Sequence, residues 1–241
     1  MDAIKIENLT KKYNDVVAVD DLSLSVKKGE LFSLLGVNGA GKTTTIKMLS
    51  CLVKPTSGDA FLNGTSIRDN AIDIKSIIAV SPQENAVASG LSVRENLELI
   101  CGVFGFSKER TQQKIKYLAE LLGLESVIDK KASKLSGGFC RRLSIAMALI
   151  SEPQILFLDE PTLGLDVLSR SDLWDIIRSL KGNVTIVLTT HYMEEAETLS
   201  DRVAIMKDGK LLICDTADNI KHKTASTTLE QAFVRIVKGV Q

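Results

Sequence analysis

The sequence predicts an α/β fold with a largely parallel sheet. Short apolar runs typical of strands alternate with stretches in which apolar residues recur at helical spacing. One apolar run leads directly into a glycine-rich turn and a helix, whereas a long central stretch shows helical spacing alone. These observations predict a parallel-sheet core into which a helical subdomain is inserted.

The elements predicted before residue 84 are strands and one helix. Leucine and valine alternate with polar residues at 22–26, which indicates a half-buried strand. The largely apolar run at 30–36 predicts a buried central strand, and a helix at about 41–52 follows it after the glycine-rich turn. A further short strand is predicted at 77–80.

The stretch 84–153 contains helical patterns only, so we predict a helical subdomain there. Two buried helix faces are indicated, one formed by Val93, Leu97, Ile100 and Phe104 and the other by Ile115, Leu118 and Leu122.

After this stretch the α/β pattern returns. Apolar, β-branched runs at 155–159 and 184–189 predict two strands with a helix at about 167–181 between them. The tail shows one helical stripe, Leu229, Phe233 and Ile236. We therefore predict a single domain with an α/β core at 1–83 and 154–215, a helical subdomain at 84–153 and a helical tail at 216–241.

Composition excludes several classes of protein. The 241 residues include 30 Lys+Arg and 30 Asp+Glu, and this zero net charge, with only 5% aromatic residues, argues against a nucleic-acid partner. No apolar run is long enough for a membrane span, and no secretory signal is visible, so we expect a cytoplasmic protein. With two histidines and four widely separated cysteines, a zinc site is not expected.

The glycine-rich turn carries the strongest motif. Residues 36–43, GVNGAGKT, fit G-x-x-x-x-G-K-[ST], and they follow a predicted strand and open a predicted helix, as a phosphate-binding P-loop does. Glycines let backbone N–H groups approach phosphate oxygens, Lys42 supplies a positive charge, and the Thr43 hydroxyl suits Mg²⁺. The candidate phosphate-binding residues are Gly36, Asn38, Gly39, Ala40, Gly41, Lys42, Thr43 and Thr44.

A second acidic site complements the P-loop. Asp159 and Glu160 stand at the end of the apolar run 155–159, where ligands collect in parallel sheets. We expect Asp159 to bind Mg²⁺ through water and Glu160 to orient or deprotonate an attacking water molecule.

The segment Leu135-Ser136-Gly137-Gly138 adds a family resemblance. Together with the P-loop, the Asp159-Glu160 pair and His191, it resembles the ATP-binding subunit of an ABC transporter. The resemblance runs from Tyr13 to about Leu211. It implies a P-loop NTPase (RecA-like) core, an antiparallel N-terminal β subdomain and an inserted α-helical subdomain, with ATP and Mg²⁺ as ligands.

The resemblance also implies roles for single residues. Tyr13 is similar to the aromatic residue that stacks on adenine, and Gln83 to the glutamine that contacts Mg²⁺ or the lytic water. His191 resembles the histidine that hydrogen-bonds the γ-phosphate. Ser136, Gly137 and Gly138 are similar to the helix start that closes over the ATP of a second subunit, and Asp166 to the aspartate along that dimer seam. Phe139 departs from the family pattern, which usually has a polar residue, commonly glutamine, at this position.

The resemblance further suggests partners. Segments beginning at Ser92, Thr189 and Leu199 resemble ATP-binding subunits of the ABC-2, drug- and sodium-exporter type. They imply a separate transmembrane permease that docks near 84–91, a second ATP-binding subunit, identical in a homodimer, and a peripheral position on the inner face of the cell membrane. Two alternatives remain: a soluble ABC-type ATPase acting on ribosomes or DNA, and a nucleotide-binding regulator or scaffold with little turnover.

Overall fold

The protein contains two sheets of different character. The computed structural model describes residues 1–84 and 86–239; position 85 of the predicted helical subdomain and positions 240 and 241 of the predicted tail lie outside the described residues. The strands are β1 (Asp2–Tyr13), β2 (Val16–Lys27), β3 (Leu31–Leu35), β4 (Ser57–Leu62), β5 (Thr65–Ser66), β6 (Ile78–Ser81), β7 (Ile155–Asp159), β8 (Thr185–Thr190), β9 (Arg202–Lys207) and β10 (Lys210–Asp215).

The larger sheet has six strands in the order β10-β9-β3-β8-β7-β6. All neighbouring pairs are parallel except the β9–β10 hairpin. The smaller sheet, β2-β1-β4-β5, is antiparallel throughout. The predicted fold class, a mostly parallel core with an antiparallel N-terminal sheet, is therefore confirmed.

Apolar residues cover both faces of the larger sheet. In β7, Leu156 and Leu158 join the apolar cluster that includes the helices between β6 and β7, whereas Ile155 and Phe157 join the cluster shared with the antiparallel sheet. Burial on both faces explains why this strand is a continuous apolar run in the sequence.

Nine helices lie within the described residues. They are α1 (Lys42–Leu49), α2 (Ala71–Ile77), α3 (Val93–Val103), α4 (Lys108–Leu122), α5 (Gly137–Leu149), α6 (Val167–Leu180), α7 (Met193–Leu199), α8 (Ala217–Lys223) and α9 (Leu229–Lys238). Two short 3₁₀ helices, Glu125–Val127 and Ala132–Lys134, separate α4 from α5.

Helix α1 is shorter than predicted, because it ends at Leu49 instead of residue 52. Cys51 has a left-handed backbone, with φ of 56°, and the next two amides both donate hydrogen bonds to the carbonyl of Lys47. This arrangement closes the last turn of the helix and directs the chain away from its axis.

In the stretch between β6 and β7, one predicted helix face is wrong at Phe104, whereas Val93 and Leu97 are buried and Ile100 packs against the apolar cluster. Ser92 and Glu95 form a capping box at the start of α3, whose buried face consists of Val93, Asn96, Leu97 and Cys101. Phe104 follows the last residue of the helix and is 52% exposed, so it does not extend this face. The face predicted on α4 is confirmed, because Ile115, Leu118 and Leu122 are buried.

The C-terminal tail is helical, as predicted, but it forms two helices. Leu229 and Phe233 of α9 are buried, and Ile236 packs against the same apolar cluster. Within residues 1–84 and 86–239, none of the helices combines the length and the apolar composition that a membrane span needs.

Candidate functional site

The P-loop connects β3 to α1, and its backbone requires glycine at two positions. A Cβ atom on Gly36 would lie 2.5 Å from the carbonyl oxygen of Met206. Gly41 has φ of 100°, and a Cβ atom there would lie 2.5 Å from the carbonyl oxygen of Ala18. Helix α1 begins at the next residue, so its free N–H groups face the loop. The loop is therefore shaped to present backbone donors to an anion.

A cleft of about 740 Å³ opens beside the P-loop. Its size is that of a small-molecule or cofactor site. Most of the residues predicted for the phosphate and catalytic sites line it: Tyr13, Asn38, Gly39, Ala40, Gly41, Lys42, Thr43, Thr44, Gln83, Glu160 and His191. The sequence reasoning missed Val16, Val17, Ala18, Leu163 and Asp208, which also line the cleft.

Part of the cleft lining is apolar or aromatic. Tyr13 is 42% exposed there, and the neighbouring Val16 and Val17 are 66% and 38% exposed. The sequence alone does not show that the start of β2 faces the P-loop, so these two valines could not be predicted from it. Lys42, Glu160 and His191 supply charged and polar groups to the same cleft.

The Lys42 side chain is buried and has three oxygen neighbours. Its Nζ donates to the carbonyl oxygens of Gly36 at 2.6 Å and Val37 at 3.3 Å, and it lies 3.2 Å from Oε1 of Glu160. The ammonium group is therefore held over the inner surface of the P-loop.

Asp159 connects the P-loop to two central strands. Its Oδ1 accepts hydrogen bonds from the Thr43 hydroxyl at 3.1 Å and from the Thr189 hydroxyl at 2.5 Å. A hydroxyl beside a carboxylate is a set of hard oxygen donors, which suits Mg²⁺ because that ion binds one or two such groups and keeps several waters. Thr43 and Asp159 therefore fit a magnesium ion. Thr189 was not predicted as a site residue.

Glu160 adopts a left-handed backbone conformation, with φ of 47°. Its amide donates to the Thr189 hydroxyl at 3.0 Å and to the Thr189 carbonyl at 3.2 Å, which holds this conformation. Its carboxylate is almost completely buried between Nζ of Lys42 and Nδ1 of His191, which lies 2.7 Å from Oε2. The side chain is thus fixed at both oxygens.

A buried acid lies behind the His191 segment. Glu195 on α7 is fully buried, and Nε1 of Trp174 donates to its Oε1 at 3.1 Å. Burial raises the pKa of Glu195, against the opposing effect of the nearby Thr190, Thr162 and Trp174 side chains.

The segment Ser136–Gly138 does not line the cleft. It forms the start of α5, where the Ser136 hydroxyl accepts a hydrogen bond from the Phe139 amide, and both Ser136 and Gly137 are exposed. A Cβ atom on Gly138 would lie 3.0 Å from the Ser169 side chain, so this helix start packs against the start of α6.

Asp166 lies in the same exposed region. Its carboxylate caps α6 by accepting hydrogen bonds from the Ser169 amide at 2.9 Å and the Ser169 hydroxyl at 2.7 Å. These hydrogen bonds lower the pKa of Asp166, so it is ionised at neutral pH. The chain thus presents a glycine-rich helix start and a carboxylate outside its own cleft.

Phe139 is half-buried, unlike the exposed Ser136 and Gly137. Its half-buried side chain packs against the apolar cluster of the helices, and the Arg142 guanidinium lies 5.4 Å from its ring centroid. The residue that departs from the family pattern therefore contributes packing within its own chain.

Comparison with known proteins gives consistent matches. The family model described as ABC transporter matches residues 19–163. The probable multidrug ABC transporter ATP-binding protein YbhF of Escherichia coli (strain K12) is 39% identical over 240 residues, which cover 97% of this chain and 41% of that protein. The Nod factor export ATP-binding protein I of Burkholderia orbicola (strain AU 1054) is 43% identical over 208 residues, which cover 86% of this chain and 68% of that protein.

A solved structure matches the fold as well. The ATP-binding cassette MJ0796, in a dimeric post-hydrolysis state bound to ADP and Pi, superimposes with a TM-score of 0.79 at 27% identity, over 88% of this chain and 98% of that one. The family match covers more than half of the chain, and the fold and the P-loop agree with it. The chain therefore belongs to the ABC transporter family, as an ATP-binding domain of that family.

Proposed function

We propose that the protein binds ATP in the cleft and hydrolyses it at the interface of a head-to-tail dimer, and that this hydrolysis drives export by a separate membrane permease. One observation supports the dimer: Lys42, Glu160 and His191 line the cleft, whereas Ser136 and Gly137 at the start of α5 are exposed outside it. A second subunit placed head to tail brings its own copy of this helix start to the open side of the cleft.

ATP fits the lining of the cleft. The adenine ring stacks on Tyr13 beside the exposed valines, and the phosphates bind the P-loop amides and the Lys42 ammonium. Thr43 and Asp159, with Gln83 nearby in the cleft, would hold Mg²⁺. When bound, this ion neutralises charge on the phosphate oxygens.

The cleft also supplies the groups for hydrolysis. Glu160 accepts a proton from a water molecule whose oxygen attacks the γ-phosphorus, and the bond from that phosphorus to the bridging oxygen of ADP breaks. His191 holds the Glu160 carboxylate through Nδ1, which leaves its Nε2 for the γ-phosphate or the attacking water. Lys42 stabilises negative charge on the departing phosphates.

The relatives support a transport role and suggest the partner. Their names describe ATP-binding proteins of a multidrug transporter and of Nod factor export. The chain spans 41% of the length of YbhF. We propose that the membrane permease is a separate subunit. A homodimer bound to the permease on the inner face of the cell membrane is the arrangement we propose.

The permease site expected near 84–91 needs one revision. Val87 and Leu91 are half-buried, and Val87 packs against the apolar cluster of the helices. Large exposed apolar side chains lie instead toward the end of α3, at Leu99, Val103 and Phe104. A permease contact that includes the end of α3 therefore agrees better with the distribution of exposed apolar surface.

The central test is the variant Glu160→Gln. Glutamine keeps the shape of the side chain but cannot accept the proton, so we expect phosphate release to fall by about two orders of magnitude or more. We expect the variant to dimerise with ATP and to remain monomeric with ADP or without nucleotide, as measured by gel filtration with light scattering. A monomer with ATP demonstrably bound would count against the composite site.

The same assay distinguishes the proposed ATPase from the main alternative. A regulator or scaffold that binds ATP without turnover would give a wild-type protein that dimerises with ATP but releases no phosphate. The departure at Phe139 is the observation that favours this alternative. Phosphate release by the wild-type protein, abolished in Glu160→Gln, would exclude it.

A further inference from the structure

Arg141 is a buried arginine that the proposed reaction does not yet use. It lies in the second turn of α5, the helix that begins at Ser136–Gly138, and it is 3% exposed. Burying a guanidinium is costly unless its donors are satisfied, so its hydrogen-bond partners define its role.

Both terminal nitrogens of Arg141 donate to backbone carbonyls. Nη1 contacts the carbonyl of Pro82 at 2.5 Å, and Nη2 contacts the carbonyl of Asp159 at 2.8 Å. The first carbonyl belongs to the peptide group that precedes Gln83, and the second to the peptide group that precedes Glu160. One planar guanidinium therefore holds the two peptide groups from which these candidate catalytic side chains extend.

The Asp159–Glu160 peptide group is held on both sides. Its oxygen accepts from Arg141, and its nitrogen donates to Thr189 at 3.0 Å and 3.2 Å. These contacts fix the peptide group at the residue where the backbone takes its left-handed conformation.

Arg141 keeps its charge in this environment. Burial lowers the pKa of Arg141 to about 10, and the nearby carboxylates of Asp159, Glu195 and Glu160 oppose that shift. The guanidinium is thus protonated at neutral pH, and its hydrogen bonds to the two carbonyls are charge-assisted.

We propose that Arg141 is a positioning residue for ATP hydrolysis, which fixes Gln83 and Glu160 relative to the helix start at Ser136–Gly138. This inference rests on the proposed function. The helix start contacts the nucleotide of the partner subunit, while Gln83 and Glu160 contact the nucleotide of the same subunit. Arg141 therefore joins the two active-site parts that one chain contributes to two different ATP molecules.

The variants Arg141→Gln and Arg141→Lys test this role. Glutamine removes the charge and cannot donate to both carbonyls as the guanidinium does. Lysine keeps the charge, but its compact ammonium group lacks the planar arrangement of N–H donors. Ile145→Ala is the matched control, because Ile145 is fully buried one turn further along α5 and belongs to its apolar cluster. The control reports what destabilising the helix alone does to activity.

Three measurements are made at a temperature where thermal unfolding shows every variant to be folded. They are the phosphate-release kcat, the ATP dissociation constant of the monomer, and hydrogen exchange in peptides that contain residues 83 and 160. In Arg141→Gln we expect kcat to fall about 10- to 100-fold, because catalytic groups are displaced, while the dissociation constant stays within about twofold of wild type.

We expect Arg141→Lys to retain an intermediate kcat, and exchange in both peptides to rise in Arg141→Gln but not in Ile145→Ala. A kcat for Arg141→Gln within about twofold of wild type or of the control would overturn the inference. If the wild-type protein releases no phosphate, the proposed function fails, and hydrogen exchange alone decides: equal exchange in Arg141→Gln and Ile145→Ala then overturns the positioning role.

Discussion

The Lys42 side chain is the only one of the P-loop motif that carries a charge, and its ammonium already contacts three oxygens of the protein. We predict that Lys42→Ala abolishes phosphate release and weakens ATP binding, because the P-loop then has no positively charged side chain to bind the triphosphate. Phosphate release and titration with a fluorescent ATP analogue measure the two effects. Lys47→Ala is the matched control, since Lys47 is exposed on the same helix. Wild-type turnover in Lys42→Ala would contradict the assignment of the P-loop.

Glu195 makes the free energy of unfolding depend on pH. Its pKa in the folded protein lies above the ordinary value of 4.5, so the folded state holds this proton more tightly than the unfolded state does. The contribution of Glu195 to the free energy of unfolding therefore falls as pH rises from 4.5 toward the folded pKa.

We predict that Glu195→Gln, which cannot ionise, gains stability relative to wild type over that range. Urea unfolding at a series of pH values measures the difference, and Glu194→Gln, at an exposed position of the same helix, is the control. Parallel pH profiles for wild type and Glu195→Gln would show that the pKa of Glu195 is the same in the folded and unfolded states, which would contradict the prediction.

At the scale of elements, helix α5 combines an exposed start with a buried body. Phe139 packs inward, so we predict that Phe139→Gln lowers the free energy of unfolding by about 1 kcal/mol, which is less than the loss of a fully buried phenylalanine. We also expect an unchanged ATP affinity of the monomer and an altered turnover of the dimer, because in the proposed dimer the helix start contacts the nucleotide of the opposite subunit. Phe104→Gln, at an exposed aromatic position, is the control for both measurements. A large change in monomer affinity would place Phe139 in its own nucleotide site.

The elements that the sequence predicts best are those buried on two faces. Strands β3, β7 and β8 are continuous apolar runs in the sequence because apolar clusters cover both faces of the sheet there. The glycines at 36 and 41 are required by close contacts with the backbone. Helix ends were harder to place, since the end of α1 depends on a left-handed residue that carries no sequence signal. The boundaries of the helical subdomain at 84 and 153 stay a prediction.

Contacts between distant segments were not predictable in the same way. Arg141 looks like a surface residue beside Arg142 in the sequence, and only the packing of α5 against β6 and β7 shows that its partners are two backbone carbonyls. Thr189 similarly looks like a strand residue, although its hydroxyl joins Asp159 to Glu160. Hydrogen bonds to backbone carbonyls, or from a strand hydroxyl, require no particular pattern of residue types in the sequence. Sequence motifs therefore do not reveal them.

At the scale of the whole molecule, the proposed head-to-tail dimer predicts how mixtures of inactive variants behave. Lys42→Ala damages the P-loop half of a site, and Gly137→Asp damages the other half by placing a negative charge on the exposed helix start. In a mixed dimer, one site has both damaged halves and the other has both intact halves. Equal mixing gives about half mixed dimers, so we expect about a quarter of the wild-type rate of phosphate release.

The measurement is phosphate release as a function of mixing ratio, after each variant alone has been shown to be inactive. Gly137 tolerates a side chain, because a Cβ atom there meets only Leu165 at an ordinary 3.6 Å. A mixture no more active than either variant would argue against sites built from two subunits, or would show that both sites must be intact for either to work.

The left-handed backbone at Glu160 has a consequence for how this chain evolves and can be engineered. A non-glycine residue in that conformation costs about 1 kcal/mol or more, and here the residue also carries a buried carboxylate. Selection for thermal stability alone would therefore favour glycine or asparagine at this position, which tolerate the conformation better. With the role proposed for Glu160, the glutamate exchanges folding stability for chemistry, so screens for more stable variants of this protein should hold position 160 fixed.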